Sequence, residues 1–378
     1  MKSHERVERA LTFRRPDRVP MSDALWEDTV TRWYGEGLSR DAVSEDVFQG
    51  SGGIADYFGF DIDHMSIDAS PRLKQELLSD DGEYVTYRDR FGYTVRKAKG
   101  KSCTMRFMDH VTVDRAAWER LREHFVLRPG DTARVDTASY FMHMDAYPTW
   151  AEARLKFDRV HKRGRYVLAD AYGPWEATWR HRGFEALLTD VAADPGFVAD
   201  MAGTYTDLLL ATLRRCLDEG IRPDGFFMVE DLGYTRGMLI SPRAWRHILK
   251  PLVGRVGEFL REHGLTFWMH CCGNAELIFG DLIECGLQVI QPLEAKSGLD
   301  VRDLRSKYGR RLCYWGNIDV VNMAKGTDAE VAAEIRGKIL PFVEEGGGYI
   351  YHSDHSVPPE VSFSRYRYVL DLVRRCGA

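Results

Sequence analysis

The sequence predicts an α/β protein, a (β/α)8 (TIM) barrel with an N-terminal extension and an inserted β-hairpin. Short apolar segments repeatedly end in a polar cluster, and a stretch with helical periodicity follows each cluster. Six such units in about 200 residues favour parallel strands joined by helical crossovers, closed into a barrel rather than left as an open sheet. The predicted strands are Tyr166–Asp170, Phe226–Asp231, Leu265–His270, Val289–Gln291, Leu312–Asn317 and Tyr349–His352.

The first third of the chain is less regular than the rest. Val19–Asp23 is the candidate first barrel strand, and Glu83–Arg96 alternates and turns like a β-hairpin, which we place in an inserted cap at about residues 75–115. Because no internal repeat and no flexible linker interrupts the chain, we expect a single domain over residues 1–378. With Asn274 as a candidate N-cap, helices are expected at residues 184–219, 242–263, 274–285, 300–308 and 328–345.

Composition and charge exclude several classes of protein. With 378 residues, 44% of them hydrophobic and 29% charged, the chain has the make-up of an ordinary globular protein. Its net charge of -5 argues against nucleic acid as a partner, because phosphate binding needs concentrated basic surface. No apolar run approaches the roughly 18 residues that a membrane span needs. Seven cysteines, an odd number, fit a reducing compartment better than a disulfide framework, so we expect a cytoplasmic protein.

An imidazole and two thiols follow one predicted strand directly, in the run His270-Cys271-Cys272. In a barrel the functional groups belong at the carboxyl ends of the strands. Imidazole and thiolate are ligands that zinc prefers. His270 and Cys272 alone are a weak signal, because a buried thiol beside a core histidine gives the same pattern, so further ligands must come from elsewhere in the chain.

Six sequence motifs follow one another along almost the whole chain. They are His4–Leu11 with Pro16–Pro20, Tyr172–Glu176, Glu230–Gly233, His270–Gly273, Gly316–Asp319 and Gly346–Gly348. In kind and in order these motifs resemble those of the uroporphyrinogen decarboxylase superfamily. The resemblance implies a (β/α)8 barrel with its site at the carboxyl ends of the strands, in agreement with the pattern of strands and helices.

The superfamily contains two chemistries, decarboxylation and cobalamin-dependent methyl transfer. Its decarboxylases need no metal and hold substrate carboxylates with an arginine-containing segment near the N-terminus, where this chain has the acidic stretch Asp23–Asp28 without arginine. Its methyltransferases bind zinc through His-x-Cys and a later cysteine, and His270 and Cys272 match the first two positions. By its spacing to Pro358, His355 takes the third position. The resemblance thus implies a zinc site of His270, Cys272 and His355, in which imidazole replaces the family's second thiolate.

Further roles are expected for residues at the predicted strand ends. Glu230 is a candidate fourth ligand or base, and Asp231 or Glu230 could protonate a leaving oxygen if burial raises its pKa. Asn317 and Asp319 are expected to hydrogen-bond in the site, although Asp319 could equally cap a helix. Aromatic residues at the barrel mouth would suit a flat substrate, although each could instead pack in the core; the substrate-binding candidates are Trp175, Tyr234 and Trp315, with Trp26 and Trp268 nearby.

The favoured hypothesis is a zinc-dependent methyltransferase that moves a methyl group between a small methylated substrate, such as an aryl methyl ether, and a corrinoid (cobalamin) protein. The zinc would act as a Lewis acid on the departing heteroatom. We expect a separate protein to carry the corrinoid, and homodimers occur in the superfamily. Two alternatives stay open: a metal-independent decarboxylase of the uroporphyrinogen decarboxylase type, and a non-catalytic corrinoid- or tetrapyrrole-binding protein.

Overall fold

The computed structural model describes residues 1–44, 46–48, 51–101, 105–136 and 147–376. Its strands are β1 (Asp46–Phe48), β2 (Ser51–Gly52), β3 (Ile62–Ile67), β4 (Glu76–Asp80), β5 (Tyr84–Arg88), β6 (Thr94–Ala98), β7 (Met105–Asp109), β8 (Val135–Asp136), β9 (Tyr166–Tyr172), β10 (Gly225–Val229), β11 (Gly233–Tyr234), β12 (Gly237–Met238), β13 (Thr266–Cys271), β14 (Val289–Pro292), β15 (Cys313–Trp315) and β16 (Tyr349–Ile350). Its helices are α1 (Ser3–Leu11), α2 (Glu27–Gly35), α3 (Gly53–Phe58), α4 (Arg115–Leu121), α5 (Trp150–His161), α6 (Pro174–Arg182), α7 (Phe184–Ala193), α8 (Pro195–Asp218), α9 (Pro242–Ile248), α10 (Lys250–Glu262), α11 (Phe279–Glu284), α12 (Val301–Tyr308), α13 (Val320–Lys325), α14 (Asp328–Glu344) and α15 (Phe363–Cys376). Among these described helices, none has the length and apolar composition to cross a bilayer.

Seven parallel strands form the barrel wall in the order β3, β9, β10, β13, β14, β15 and β16. Met21 closes the circle between the last of these strands and the first. It forms a parallel bridge with Tyr351, directly after β16, and its carbonyl accepts the N–H of Asp61, directly before β3, at 2.7 Å. The predicted first strand lies where a closed barrel needs it, and the (β/α)8 prediction is confirmed.

Two hydrophobic clusters separate the inside of the barrel from its outer layer. Phe227 of β10 and Trp268 of β13 pack with Val7 and Ala10 of α1 in the inner cluster. The residues next to them on the same strands belong to the outer cluster, between the sheet and the helices, because successive strand residues point to opposite faces. Helix α1 plugs the amino ends of the strands, so the carboxyl ends are left for a site.

Two of the predicted helices are each divided in the structure. Residues 184–219 form α7 and α8 because Asp194 caps α8 and Pro195 occupies its first turn. Residues 242–263 form α9 and α10, and Pro251 occupies the first turn of α10. A proline at the first turn begins a new helix, since its missing N–H has no partner there in any case. The predictions for α12 and α14 are confirmed.

The helix predicted at residues 274–285 begins later than expected, at Phe279. Asn274 does not cap it. Its Oδ1 accepts the N–H of Glu276 and its Nδ2 donates to the carbonyl of Ser297, both at 3.0 Å. The side chain therefore fixes the turn that follows β13, and a 3-10 turn at Glu276–Ile278 leads from it into the helix.

The inserted hairpin is confirmed and belongs to a larger sheet than predicted. β5 and β6 form the hairpin, and β4 and β7 flank it in a four-stranded antiparallel sheet. In the hairpin itself, Tyr87, Tyr93 and Val95 are buried. The outer strands expose apolar side chains, among them Leu77 and Met108. Their sequences therefore lack the alternation that reveals a half-buried strand.

Candidate metal and substrate site

The carboxyl ends of the barrel strands surround a cavity of about 580 Å³. Sites for small organic molecules typically have volumes of roughly 300–1,000 Å³. Apolar side chains form much of the lining: Leu25, Trp26, Ile54, Phe60, Phe227, Val229 and Trp315. The polar lining includes Asp23, His64, Ser66, Asp170, Asp231, His270, Cys272, Gln291, His352 and His355.

Three of the polar residues bring potential metal-ligand atoms together. His270 Nε2 lies 3.3 Å from Cys272 Sγ and 3.3 Å from Asp231 Oδ1, and the three ligand atoms lie within 4.8 Å of one another. Ligand atoms on a tetrahedral zinc are roughly 3.3–3.7 Å apart at ordinary bond lengths. The donor set of His270, Cys272 and Asp231 therefore fits a zinc ion in type and in spacing.

The end of β13 directs these side chains. His270 faces the barrel interior, whereas Cys271 lies on the other face of the strand, where its buried Sγ accepts a backbone N–H at 3.4 Å. Beyond the strand, the N–H of Cys272 donates to Asp231 Oδ1 at 2.8 Å. Gly273 then adopts a φ of 71°, a left-handed conformation that glycine adopts without strain. The two adjacent cysteines thus contribute one thiol to the core and one to the cavity.

A chain of hydrogen bonds orients His270. Its Nδ1 lies 2.5 Å from Gln291 Oε1, and the amide nitrogen of Gln291 lies 3.0 Å from His352 Nε2. His352 Nδ1 in turn lies 2.5 Å from the carbonyl oxygen of Ser353. Because an amide or carbonyl oxygen accepts, Nδ1 of each histidine donates. Burial opposes protonation of His270, but the adjacent Cys272 and Asp231 outweigh it and raise the His270 pKa well above its ordinary value. Nε2 therefore faces Cys272 and Asp231 as a donor, and a metal would bind there in place of its proton.

His355 lies in a second group of potential ligands. A nitrogen of its ring, Cys272 Sγ and a carboxylate oxygen of Glu294 lie within 4.8 Å of one another. Burial lowers the pKa of His355, which favours the neutral form that a metal binds. Cys272 belongs to both groups, whereas His270 and His355 are found in different ones. Of the predicted ligands, Cys272 is therefore close to both His270 and His355, but the two histidines do not belong to one group. A single ion could contact all three only after a side chain had shifted.

Glu230 and Asp231 follow β10 and face different surroundings. The Glu230 carboxylate is fully buried and accepts the N–H groups of Trp175 and Glu176, at the start of α6, each at 2.9 Å. Burial raises the pKa of Glu230 to about 8. Burial also opposes ionisation of Asp231, but the adjacent His270 outweighs it and lowers the Asp231 pKa. Asp231 lines the cavity, and Glu230 lies behind it.

Asn317 and Asp319 hold loops at the mouth of the barrel. Asn317 is buried, and its Nδ2 donates to the carbonyls of Leu293 and Leu299 at 2.6 and 2.8 Å. Asp319 caps α13 by accepting the N–H of Val321 at 2.7 Å. Neither side chain belongs to the described lining of the cavity. Their predicted catalytic roles therefore stay predictions, and the observed contacts are structural.

The aromatic candidates lie in three different environments. Trp315 lines the cavity, packs edge-on against Trp268 at 5.5 Å between ring centroids, and donates from Nε1 to a backbone carbonyl at 3.1 Å. Trp26 lines the cavity beside His355. Trp175 is fully buried in the core and Tyr234 is 50% exposed, and neither is among the described lining residues. Trp315 and Trp26 are thus the ones placed to contact a ligand.

Sequence reasoning missed two features of the cavity. On β3 and β9, His64 Nδ1 lies 3.1 Å from Asp170 Oδ1, and Ser66 Oγ donates to Asp170 Oδ2 at 3.3 Å. Gln291, the last residue of a predicted strand, orients His270. The position of Asp170 at a predicted strand end is a usable signal, whereas His64 lies in the irregular first third and gives none.

A closed barrel with imidazole, thiol and carboxylate groups gathered at the carboxyl ends of its strands defines the class: a (β/α)8 protein with a site fit for a metal and a small ligand. The family model of uroporphyrinogen decarboxylase (URO-D) matches residues 133–376, more than half of the chain. The protein therefore belongs to the uroporphyrinogen decarboxylase family. No curated protein matches the chain.

Solved structures agree with the fold. A methyltransferase from Methanosarcina mazei is similar with a TM-score of 0.63 and 12% sequence identity, over 99% of each chain. At this identity the likeness shows the fold alone. An α-amylase from Malbranchea cinnamomea has a TM-score of 0.39 and 13% identity over 95% of this chain and 74% of its own. An endo-1,4-β-D-mannanase from Thermotoga petrophila has a TM-score of 0.36 and 12% identity over 95% of this chain and 85% of its own. At TM-scores below 0.5, neither of these two structures shows a common fold.

Proposed function

We propose that the protein is a zinc-dependent methyltransferase that moves a methyl group between a small methylated compound, such as an aryl methyl ether, and a corrinoid carried by a separate protein. Membership of the family, and a likeness in fold to a protein described as a methyltransferase, support an enzyme of this kind. The observation that carries the proposal is the 3.3 Å approach of His270 Nε2 and Cys272 Sγ at the cavity. Decarboxylation in this family needs no metal, so it would not explain why His270 and Cys272 lie together at the cavity.

His270 and Cys272 would hold the zinc, with Asp231 as the third ligand in its present position and His355 as the alternative. When bound, zinc supplies Lewis-acid stabilisation of the heteroatom that loses the methyl group. Gln291 accepts the Nδ1 proton of His270, so Nε2 is the nitrogen that faces the metal. The lowered pKa of Asp231 keeps its carboxylate ionised, which suits a ligand better than a proton donor.

In the proposed transfer, the bond between the methyl carbon and its heteroatom breaks, and the heteroatom keeps the bonding electrons and takes up a proton. The electron pair of the new bond to the methyl group comes from the reduced corrinoid. Phe227 and Trp315 line the cavity with apolar surface, which packs against a flat substrate and excludes water. The cavity volume suits the small methylated compound, so the corrinoid would approach from the open end of the barrel.

Metal content of the purified protein tests the zinc site. By elemental analysis after purification without chelator, we expect about one zinc per wild-type chain and its loss in Cys272→Ala. Cys271→Ala is the matched control, because that thiol lies in the core and its removal should leave zinc bound. Zinc retained in Cys272→Ala, or no uptake of added zinc by the wild type, would overturn the site.

A second assay tests the reaction. The zinc-loaded protein is mixed with cob(I)alamin and a panel of methylated ethers and amines, and formation of methylcobalamin is followed by absorbance. We expect transfer with wild type and Cys271→Ala and none with Cys272→Ala. Equal rates in all three proteins would show that the reaction does not use this metal site.

A further inference from the structure

His352 is a buried histidine with no role as ligand or substrate contact in the proposed transfer. It follows β16 and lines the cavity, yet only 2% of it is exposed. Trp315 packs edge-on against its ring, with centroids 5.3 Å apart and planes inclined by 89°. Burial lowers the His352 pKa, so the imidazole is neutral at neutral pH and has one nitrogen that donates and one that accepts.

Two oxygens determine which nitrogen of His352 donates. Its Nδ1 lies 2.5 Å from the carbonyl oxygen of Ser353 and 3.4 Å from Oδ1 of Asp23, and both oxygens can accept. Asp23 is itself held in place, because its Oδ1 accepts the N–H of Ser353 at 3.1 Å and its Oδ2 accepts the hydroxyl of Tyr366 in α15 at 2.9 Å. The proton of His352 therefore lies on Nδ1, and Nε2 presents a lone pair.

The lone pair of His352 determines how the amide of Gln291 is oriented. The amide nitrogen of Gln291 lies 3.0 Å from His352 Nε2, and its Oε1 lies 2.5 Å from His270 Nδ1. A reversed amide would set its oxygen against the Nε2 lone pair, and neither atom could donate. Because Gln291 is buried, bulk water would not replace the hydrogen bond lost in that orientation.

The orientation of the Gln291 amide decides which proton His270 gives up. The Nδ1 proton is held by Gln291 Oε1, whereas Nε2 faces Cys272 Sγ and Asp231 Oδ1, each at 3.3 Å. A metal at this position must take the place of the Nε2 proton. With the amide reversed, its nitrogen would point at Nδ1, and the neutral imidazole would keep its proton on Nε2, where the proton blocks a metal.

We propose that His352 is a positioning residue for the metal site, which acts through Gln291 to keep a proton on Nδ1 of His270 and to leave Nε2 for the metal. The inference rests on the proposed function, because zinc is the metal considered. It requires only that the metal binds and not that a methyl group is transferred. The two proposals can therefore fail separately.

Two substitutions separate the acceptor of His352 from its bulk. His352→Phe keeps a ring and removes the acceptor, whereas in His352→Gln the new amide oxygen can accept from Gln291 in place of Nε2. We expect His352→Phe to weaken zinc binding about tenfold and His352→Gln to restore most of that loss, as measured by competition with a chromophoric chelator. Wild-type affinity in His352→Phe would overturn the inference, and so would an equal loss in both variants.

His181→Phe is the matched control for the loss of a buried imidazole. His181 is fully buried, stacks on Trp118 and is not among the described lining residues of the cavity, so zinc affinity should not change. Cobalt(II) in place of zinc gives a second readout, because its visible absorption depends on the geometry of its ligands. We expect the absorption bands to shift in His352→Phe and to return in His352→Gln. Wild-type bands in His352→Phe would show that His352 does not orient the ligands.

If His352→Phe does not fold, the wild type still decides. Proton–nitrogen NMR of protein with isotope-labelled histidine distinguishes protonated, bare and metal-bound ring nitrogens, and the His352 signals are those absent from His352→Gln. In the zinc-loaded wild type we expect protons on Nδ1 of both His352 and His270, with Nε2 bare in the first and metal-bound in the second. A proton on Nε2 of His352 would overturn the inference.

The methyl-transfer assay separates this inference from the proposed function. A wild type that binds zinc but transfers no methyl group to cob(I)alamin would remove the proposed function, and the zinc affinities of the His352 variants would still decide the inference. A wild type that transfers methyl groups, with the same zinc affinity as His352→Phe, would keep the proposed function and overturn the inference.

Discussion

The cavity has two walls of different character. The metal wall consists of Asp231, His270 and Cys272, and the recognition wall consists of His64, Ser66 and Asp170. On the metal wall, His270 Nε2 lies 3.3 Å from both Cys272 Sγ and Asp231 Oδ1. On the recognition wall, one carboxylate accepts hydrogen bonds from its neighbours. In the proposed function, the metal wall would hold the reacting end of the substrate and the recognition wall would bind the remaining part.

Removal of the third zinc ligand on the metal wall should have the largest effect on zinc affinity. We expect Asp231→Ala to weaken zinc binding by more than about a hundredfold, since loss of a ligand exceeds the loss of a ligand's support. His355→Ala should retain zinc, because His355 lies in the other group of ligands. Zinc competition with a chromophoric chelator measures both, and Asp170→Asn is the control from the recognition wall. Zinc lost in His355→Ala but kept in Asp231→Ala would restore His355 as the third ligand.

Removal of the support for His270 should have a smaller effect. Gln291→Leu removes the acceptor of the His270 Nδ1 proton, so we expect zinc affinity to fall about 10- to 100-fold. Gln288→Leu is the matched control, because Gln288 accepts the N–H of Phe267 and does not line the cavity. Equal zinc affinity in the two variants would mean that packing alone orients His270.

Glu230, behind the metal wall, should make the stability of the protein depend on pH. Burial raises its pKa from 4.5 to about 8, so the folded state holds a proton that the unfolded state releases as pH rises through 4.5. The free energy of unfolding should therefore be highest below that value and fall as pH rises towards 8. Glu230→Gln should flatten this slope in urea unfolding. A wild-type slope that Glu230→Gln leaves unchanged would assign the pH dependence to other groups.

Substitution of Tyr234 should have the smallest effect on stability and ligand affinity. It is half-exposed and belongs to neither wall, so Tyr234→Ala should change the free energy of unfolding by less than about 0.5 kcal/mol and leave ligand affinity within about twofold. Denaturant unfolding, and calorimetry with a methylated compound that the protein accepts in the transfer assay, measure these quantities. A large loss of affinity would show that the β11–β12 turn closes over the bound ligand.

The two walls also differ in what the sequence reveals. The metal wall is visible because His270 and Cys272 are two residues apart at a strand end, and Asp231 follows another strand. The recognition wall joins His64 to Asp170, 106 positions away, and depends on the pairing of β3 with β9. That pairing places Ser66 opposite Asp170 and leaves no local pattern in the sequence.

The fold was more predictable than the roles of single residues. Strand and helix periods are local, so the barrel follows from them, and the errors at residues 184–219 and 242–263 arise where a proline begins a second helix. Glu230 and Asp231 are neighbours in sequence, and both are plausible acids. Which of them faces the cavity depends on how the chain turns after β10, where α6 offers two N–H groups to Glu230.

Asp61 joins the opening residues of the chain to the barrel. Its side chain has no exposed surface and accepts hydrogen bonds from Ser3, Arg6 and Arg18 at 2.7 Å and from the N–H of Met21 at 2.8 Å. A chain shortened by twenty residues would lose these side-chain donors and leave a buried anion unpaired, at a cost of about 3–5 kcal/mol. Residues that do not line the cavity thus stabilise the closed form of the barrel.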